Sequence, residues 1–135
     1  MSDLRFSTHY SIYGPRFNVD DLLARAKPRS AYRLWRRGEP NVGGKKAVTS
    51  GVQVHLWEGT SVGALHRAVV RFLEREHRFL SVAGKMTGPK VISTFSTALF
   101  VHAIQPVTLS LPPGLMARLV KIRVSWSATG YPCSD

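Results

Sequence analysis

The fold class is indicated first by residues 62–78, VGALHRAVVRFLEREHR. Apolar side chains recur here at spacings of three and four residues, which places them on one face of an α-helix. Thr60 or Ser61 stands where a helix N-cap is expected. The segment therefore predicts an amphipathic helix from Val62 to Arg78 that must cover its apolar stripe. The members of this stripe are Leu65, Ala68, Val69, Phe72 and Leu73.

Arginines occupy the opposite side of the predicted helix. Arg67, Arg71 and Arg75 follow one another at four-residue spacing, and Arg78 follows three residues later. Like charges at these spacings repel each other by roughly 0.3 kcal/mol per pair. Such clustering is easier to tolerate where an anion offsets it. We therefore predict that these four residues, the arginine stripe, contact an acidic partner, while a solvated face is the plain alternative.

Strands are predicted before and after this helix in the sequence. The evidence is either an alternation of apolar and polar residues with a period of two or a cluster of β-branched and aromatic residues. A helix start at Asn18 and a proline at position 113 add two short helices. The fold class is thus α+β, an antiparallel or mixed sheet with one main amphipathic helix packed on a face. The strands are expected at 4–13, 32–35, 52–57 or from as early as 47, 91–104 as one long strand or two shorter ones, 107–111 and 122–126. The short helices are expected at 19–26 and 113–119.

Length and composition favour one domain over residues 1–135. At 135 residues and 44% hydrophobic content, the chain can bury a core without disulfides. The first ten residues lack the continuous apolar run of a secretory signal, and 91–111 carries too many polar groups for a membrane helix. With Cys133 as the single cysteine, we expect a cytoplasmic protein without membrane contact.

Net charge is the extreme property of this sequence. The formal value is +11, from 19 Lys and Arg against 8 Asp and Glu. No carboxylate occurs from His77 to Ser134, and between Arg25 and Lys46 eight basic residues accompany one acid, Glu39. Such a field favours anionic partners, whether nucleic acid, an acidic protein or anionic lipid.

A basic loop follows the second predicted strand. Residues 38–46 read GEPNVGGKK, which resembles a phosphate-binding loop only superficially. The glycine spacing is one residue too long, no Ser or Thr follows Lys45, and no strand and helix flank the segment as that motif requires. We predict a basic loop in which Arg36, Arg37, Lys45 and Lys46 assist the arginine stripe.

No catalytic, cofactor-binding or metal-binding residue is predicted. The five histidines lack the spacing of a zinc site, although His9, His55 and His102 lie on predicted strands and could converge across a sheet. The carboxylates are scattered or sit at helix starts, where they meet the helix dipole. Tyr32, Trp35, Trp57 and Trp126 could stack on bases beside arginines, but core packing would use the same residues.

Several short motifs resemble a bacterial family known as domain of unknown function 4279. They comprise Tyr13-Gly14-Pro15 at a strand end, then Phe17 and the helix Asp20-Asp21-Leu22-Leu23, and later Leu111-Pro112-Pro113 before a last strand. The resemblance covers most of the chain. It implies a small α+β bacterial protein with no established activity, and it carries over no functional residue.

The leading functional expectation is a non-enzymatic protein that recognises another protein. An immunity protein that neutralises a toxin is one form of this function. The alternative is a basic protein that binds RNA or DNA, which charge and the arginine stripe favour but which no recognition motif supports.

Overall fold

The computed structural model describes residues 4–41, 43–101 and 109–132. Five strands and four helices occur in this part of the chain. In chain order they are β1 (Leu4–Gly14), α1 (Val19–Arg25), β2 (Tyr32–Trp35), β3 (Ser50–Gly59), α2 (Val62–Arg75), α3 (His77–Lys85), β4 (Ile92–Val101), α4 (Pro113–Lys121) and β5 (Ser125–Pro132).

The strands form one mixed sheet in the order β2-β3-β1-β4-β5. The pairs β2–β3, β3–β1 and β1–β4 are antiparallel, and β4–β5 is parallel. The first four strands with their helices have the ferredoxin-like split β-α-β order. The parallel pair needs a crossover connection, and α4 lies within it. The expected α+β class with a mixed sheet is thus confirmed.

All four helices lie on one face of this sheet. Phe6, Tyr10 and Ile12 of β1 point to this face and are fully buried. The Tyr10 ring centroid lies 6.3 Å from that of Phe72 on α2 and 6.0 Å from that of Phe79 on α3. Apolar residues of α1 and α4 join the same cluster. The opposite face carries no helix in the described ranges, so the sheet has one packed and one open side.

The prediction of a single helix from Val62 to Arg78 is wrong at its C-terminal end. Four residues of its apolar stripe are buried, Ala68 is half-buried and Ser61 caps the helix, but the chain turns at Glu76 between α2 and α3. Glu76 is 2% exposed, and its carboxylate accepts the backbone N–H groups of Arg29 and Ser30. This contact ties the segment before β2 to the helix junction, so the charged side chain serves the fold.

The last part of the chain differs from the predicted strands. The final strand begins at Ser125, three residues later than predicted, because the backbone folds back at the end of α4. There Arg123 adopts a φ of 60°, and Val124 donates its N–H to the Leu119 carbonyl at 3.0 Å. No strand includes residues 109–111, while 102–108 lie outside the described residues.

Both predicted short helices are present, and the first one closely matches its expected bounds. Asn18 caps α1 with its side chain, and the proline at position 113 stands in the first turn of α4, which extends to Lys121. Of the helices in the described ranges, none has both the length and the apolar character needed to cross a membrane.

Candidate partner-binding surface

The arginine stripe is exposed, as predicted. Arg67 and Arg71 lie on the outer side of α2, and Arg78 lies on α3 because the helix breaks between them. Arg75 is less free than the sequence indicates, since its Nη2 donates to the Ser30 hydroxyl at 2.8 Å and its guanidinium lies 5.8 Å from the Phe72 ring centroid. Within the described ranges, none of the four forms an ion pair.

The basic loop contacts the start of α1 and the segment before it, away from the arginine stripe. Arg36 forms a two-point contact with Asp20 at the start of α1, with N–O distances of 2.8 and 3.1 Å, and this hydrogen bonding lowers the pKa of Asp20. Arg37 donates to the Pro15 carbonyl at 3.4 Å. No hydrogen bond or ion pair between described residues joins this loop to the arginine stripe. No contact between described residues therefore supports the prediction that the basic loop assists the arginine stripe.

Local backbone bonds explain the shape of this loop. Asn41 donates its N–H to the Lys45 carbonyl at 2.8 Å, and Pro40 bridges to Lys46. Gly44 has a φ of 76°, in the left-handed region where a side chain would be strained. The result is a small hairpin with Lys45 and Lys46 exposed at its return strand. It does not resemble a nucleotide-binding loop, which leads into a helix.

A first basic groove lies between the end of α1 and the junction of α2 and α3. Its volume is about 530 Å³. Of its two carboxylates, Glu76 is buried against the backbone and only Glu74 is exposed. The cations that line this groove are Arg25, Lys27, Arg29, Arg75 and Arg78.

A second groove, of about 650 Å³, separates α3 from α4. Its apolar lining residues are Leu73, Leu80 and Ile122. The two leucines belong to the core and are only 5% and 2% exposed, so the half-buried Ile122 is the most accessible of the three. None of the residues described as lining it is acidic. His77 lines both grooves, so the two are adjacent. The cations of this second groove are Lys85, Arg118, Lys121 and Arg123.

We name the nine Lys and Arg residues of the two grooves the basic belt. Of the eight residues predicted to bind a partner, the belt includes Arg75 and Arg78. The other six lie on the outer side of α2 or on the loop. Sequence reasoning missed the remaining belt residues, although the lack of carboxylates from His77 onward was a signal for those of α3 and α4.

The open face of the sheet brings two of the three candidate histidines together. The ring centroids of His9 and His55 lie 5.4 Å apart, and burial together with the charge of His55 lowers the pKa of His9. His102 lies outside the described residues. Over the ranges that the structure describes, no group of three metal-ligating side chains occurs.

The four aromatic residues considered for base stacking are divided between several environments. Trp57 and Trp126 pack against the core, and Trp126 also donates its N–H to the Thr97 hydroxyl at 2.8 Å. Trp35 lies on the open face with the Arg33 guanidinium 5.6 Å from its ring centroid. Tyr32 is exposed on the edge strand β2. These residues form no common stacking surface.

No family model, curated protein or solved structure matches the chain. The resemblance to the domain of unknown function 4279 family stays a prediction.

Proposed function

We propose that this chain is a non-enzymatic binding protein that recognises an acidic protein through its basic belt. One observation carries the proposal: the second groove combines an apolar lining with four cations and, among the residues described as lining it, no carboxylate. Apolar surface attracts an apolar side chain, and unpaired cations attract carboxylates. Protein segments supply both kinds of group side by side.

Nucleic acid is the second candidate, and the charge of +11 together with the length of the basic belt favours it. Single strands are held by cations placed beside aromatic stacking platforms. Here the belt lies among the helices, whereas Trp35 and the stacked pair Phe100 and Tyr131 belong to the opposite side of the sheet. The separation of the basic belt from these aromatic residues supports the protein partner, although two other cations, Arg5 and Arg33, lie beside Phe100 and Trp35 on the open face.

The proposed interface acts by electrostatic steering followed by anchoring. The belt raises the rate of encounter with a negatively charged surface, and the apolar lining of the second groove slows dissociation once a side chain is seated. A protein of this kind can neutralise an enzyme by covering its site, so an immunity protein that blocks a toxin is one form of the proposal. A toxin gene beside the gene for this chain would support that form.

The test uses the purified chain as bait and then a purified pair. Arg118→Glu with Lys121→Glu reverses two belt charges, and Arg16→Glu with Lys90→Glu is the control with the same net charge. We expect an acidic protein that binds the wild type and the control, survives nuclease treatment, and loses about tenfold or more in association rate with the belt variant.

Two outcomes contradict the proposal. One is binding of an identified acidic protein that the belt variant leaves unchanged. The other is retention of nucleic acid alone, with affinity falling evenly for each charge removed, as a phosphate-tracking surface requires.

A further inference from the structure

We propose that the groove between α3 and α4 is the anchor site of the interface and takes an acidic amphipathic segment of the partner. In this arrangement one apolar side chain of the segment contacts Ile122, and flanking carboxylates pair with Lys121 and Arg123. The proposal rests on the proposed function, and it names which part of the basic belt binds most tightly and what chemistry fills it.

The shape and lining of the groove favour this occupant. A volume of about 650 Å³ lies within the range of sites that bury several side chains or a small ligand. Apolar groups lie between cations that come from both helices. A segment with leucine-like and glutamate-like side chains on one face matches both features, whereas a phosphate chain leaves the apolar lining uncovered.

Arg123 is the second observation that points to a ligand. Its φ of 60° lies in the left-handed region, at the position after a helix where glycine is the usual residue. The backbone bonds that close α4 here, from Arg123 N–H to the Val120 carbonyl and from Val124 N–H to that of Leu119, need no side chain. An arginine held in a strained conformation that glycine would adopt freely suggests that its side chain is needed. That side chain lines the groove.

The surface beside Arg123 extends the apolar part of the site. Val120 is 75% exposed and Ile92 is 48% exposed, and both lie with Arg123 around a shallow depression at the start of β4 and β5. Arginine is enriched in protein interfaces, and the buried core of such interfaces is more apolar than the rest of the surface. The anchor site thus has apolar surface on both sides of Arg123.

A purely structural explanation exists for part of this charge. Arg118 and Lys121 lie in the last turn of α4, where cations interact favourably with the helix dipole. That explanation predicts that removing them lowers stability. For Arg123, just past the end of the helix, the same attraction is opposed by the strain of its φ of 60°, which replacement by glycine relieves. Arg123→Gly therefore separates a binding role from a structural one.

The experiment measures binding of a fluorescent peptide to the full chain. The probe is a synthetic amphipathic helix with leucines at helical spacing among glutamates. One control peptide replaces the leucines by alanine and another replaces the glutamates by glutamine. We expect the probe to bind about tenfold more tightly than either control peptide, because each removes one of the two features the groove recognises.

Arg123→Gly should weaken binding of the probe by about tenfold and raise the midpoint of urea denaturation. Lys90→Gln, which removes an exposed charge outside the basic belt, should change neither measurement. Equal binding of all three peptides, or unchanged affinity in Arg123→Gly, would overturn the anchor site.

Failure of this inference is distinguishable from failure of the proposed function. If the probe does not bind but the captured acidic protein still depends on Arg118 and Lys121, the anchor chemistry is wrong and the partner class stands. If the chain retains only RNA, tested with poly(U), both are wrong.

Discussion

At the residue scale, the chain uses one buried carboxylate and one partly buried imidazole for structure. Glu76 lies at the break between α2 and α3 and receives two backbone N–H groups from the segment before β2. His9 lies beside His55 on the open face of the sheet. Both residues lie at positions that restrict water, so the hydrogen bonds of Glu76 and the protonation of His9 affect stability.

Glu76→Gln should lower the free energy of unfolding by about 2 kcal/mol, because an amide offers one acceptor oxygen and points an N–H₂ group toward backbone donors. Urea denaturation measures the change. Glu74→Gln, at an exposed position next to it in the chain, should stay within about 0.5 kcal/mol of the wild type. A loss of the same size in both variants would show that the buried hydrogen bonds are not the cause.

Stability should decrease as the pH falls below the usual histidine value of 6.5. Burial and His55 lower the pKa of folded His9, so the unfolded chain takes up a proton at a higher pH than the folded chain does. The stability that this difference in the pKa of His9 contributes is complete above pH 6.5. It is lost as the pH falls through the lowered pKa of His9 in the folded chain. Denaturation midpoints measured from about pH 7.5 to about pH 5 should show a smaller decrease in His9→Gln. His77→Gln, on the helix surface, is the control.

At the scale of elements, α2 connects the sheet to the remaining helices. Phe72 is fully buried, with ring centroids 6.3 Å from Tyr10 and 5.8 Å from Phe95. On the other side of the helix, Arg67 and Arg71 are exposed, whereas the Arg75 guanidinium lies 5.8 Å from the Phe72 ring centroid. Periodicity therefore correctly identified which face of α2 is buried.

Phe72→Ala should cost about 3–5 kcal/mol of unfolding free energy, since it leaves a cavity among aromatic rings. Arg71→Ala on the same helix should cost less than about 0.5 kcal/mol. Both are measured as shifts in the denaturant midpoint. A negligible shift for Phe72→Ala would mean that α2 does not cover the sheet as described.

At the scale of the whole molecule, the distribution of charge matters more than its total. The nine cations of the basic belt come from α1, the segment after it, α2, α3, α4 and Arg123, the second residue after α4. The arginine stripe lies beside this belt and shares only Arg75 and Arg78 with it. Sequence and structure therefore predict different residues as the centre of the interface.

Two equal charge reversals distinguish these centres. Arg67→Glu with Arg71→Glu changes the outer side of α2, and Arg118→Glu with Lys121→Glu changes the second groove. We expect the second pair to lower the association rate with the acidic probe peptide several-fold more than the first, and both effects to shrink between about 0.05 and about 0.5 M salt. Stopped-flow fluorescence measures the rates. A larger effect of the first pair would favour the arginine stripe.

The sequence by itself determined the local elements and the strong positive charge of the chain. Helix caps, the apolar stripe of α2 and the alternation in β1 act over a few residues, so they can be read from neighbouring positions. Only the tertiary structure decided which cations share a groove. Lys85 and Arg118 are far apart in the chain, and they meet because α4 leads into the parallel strand β5 and thereby packs beside α3. The break at Glu76 likewise depends on a contact with Arg29, 47 residues away, which no local pattern shows.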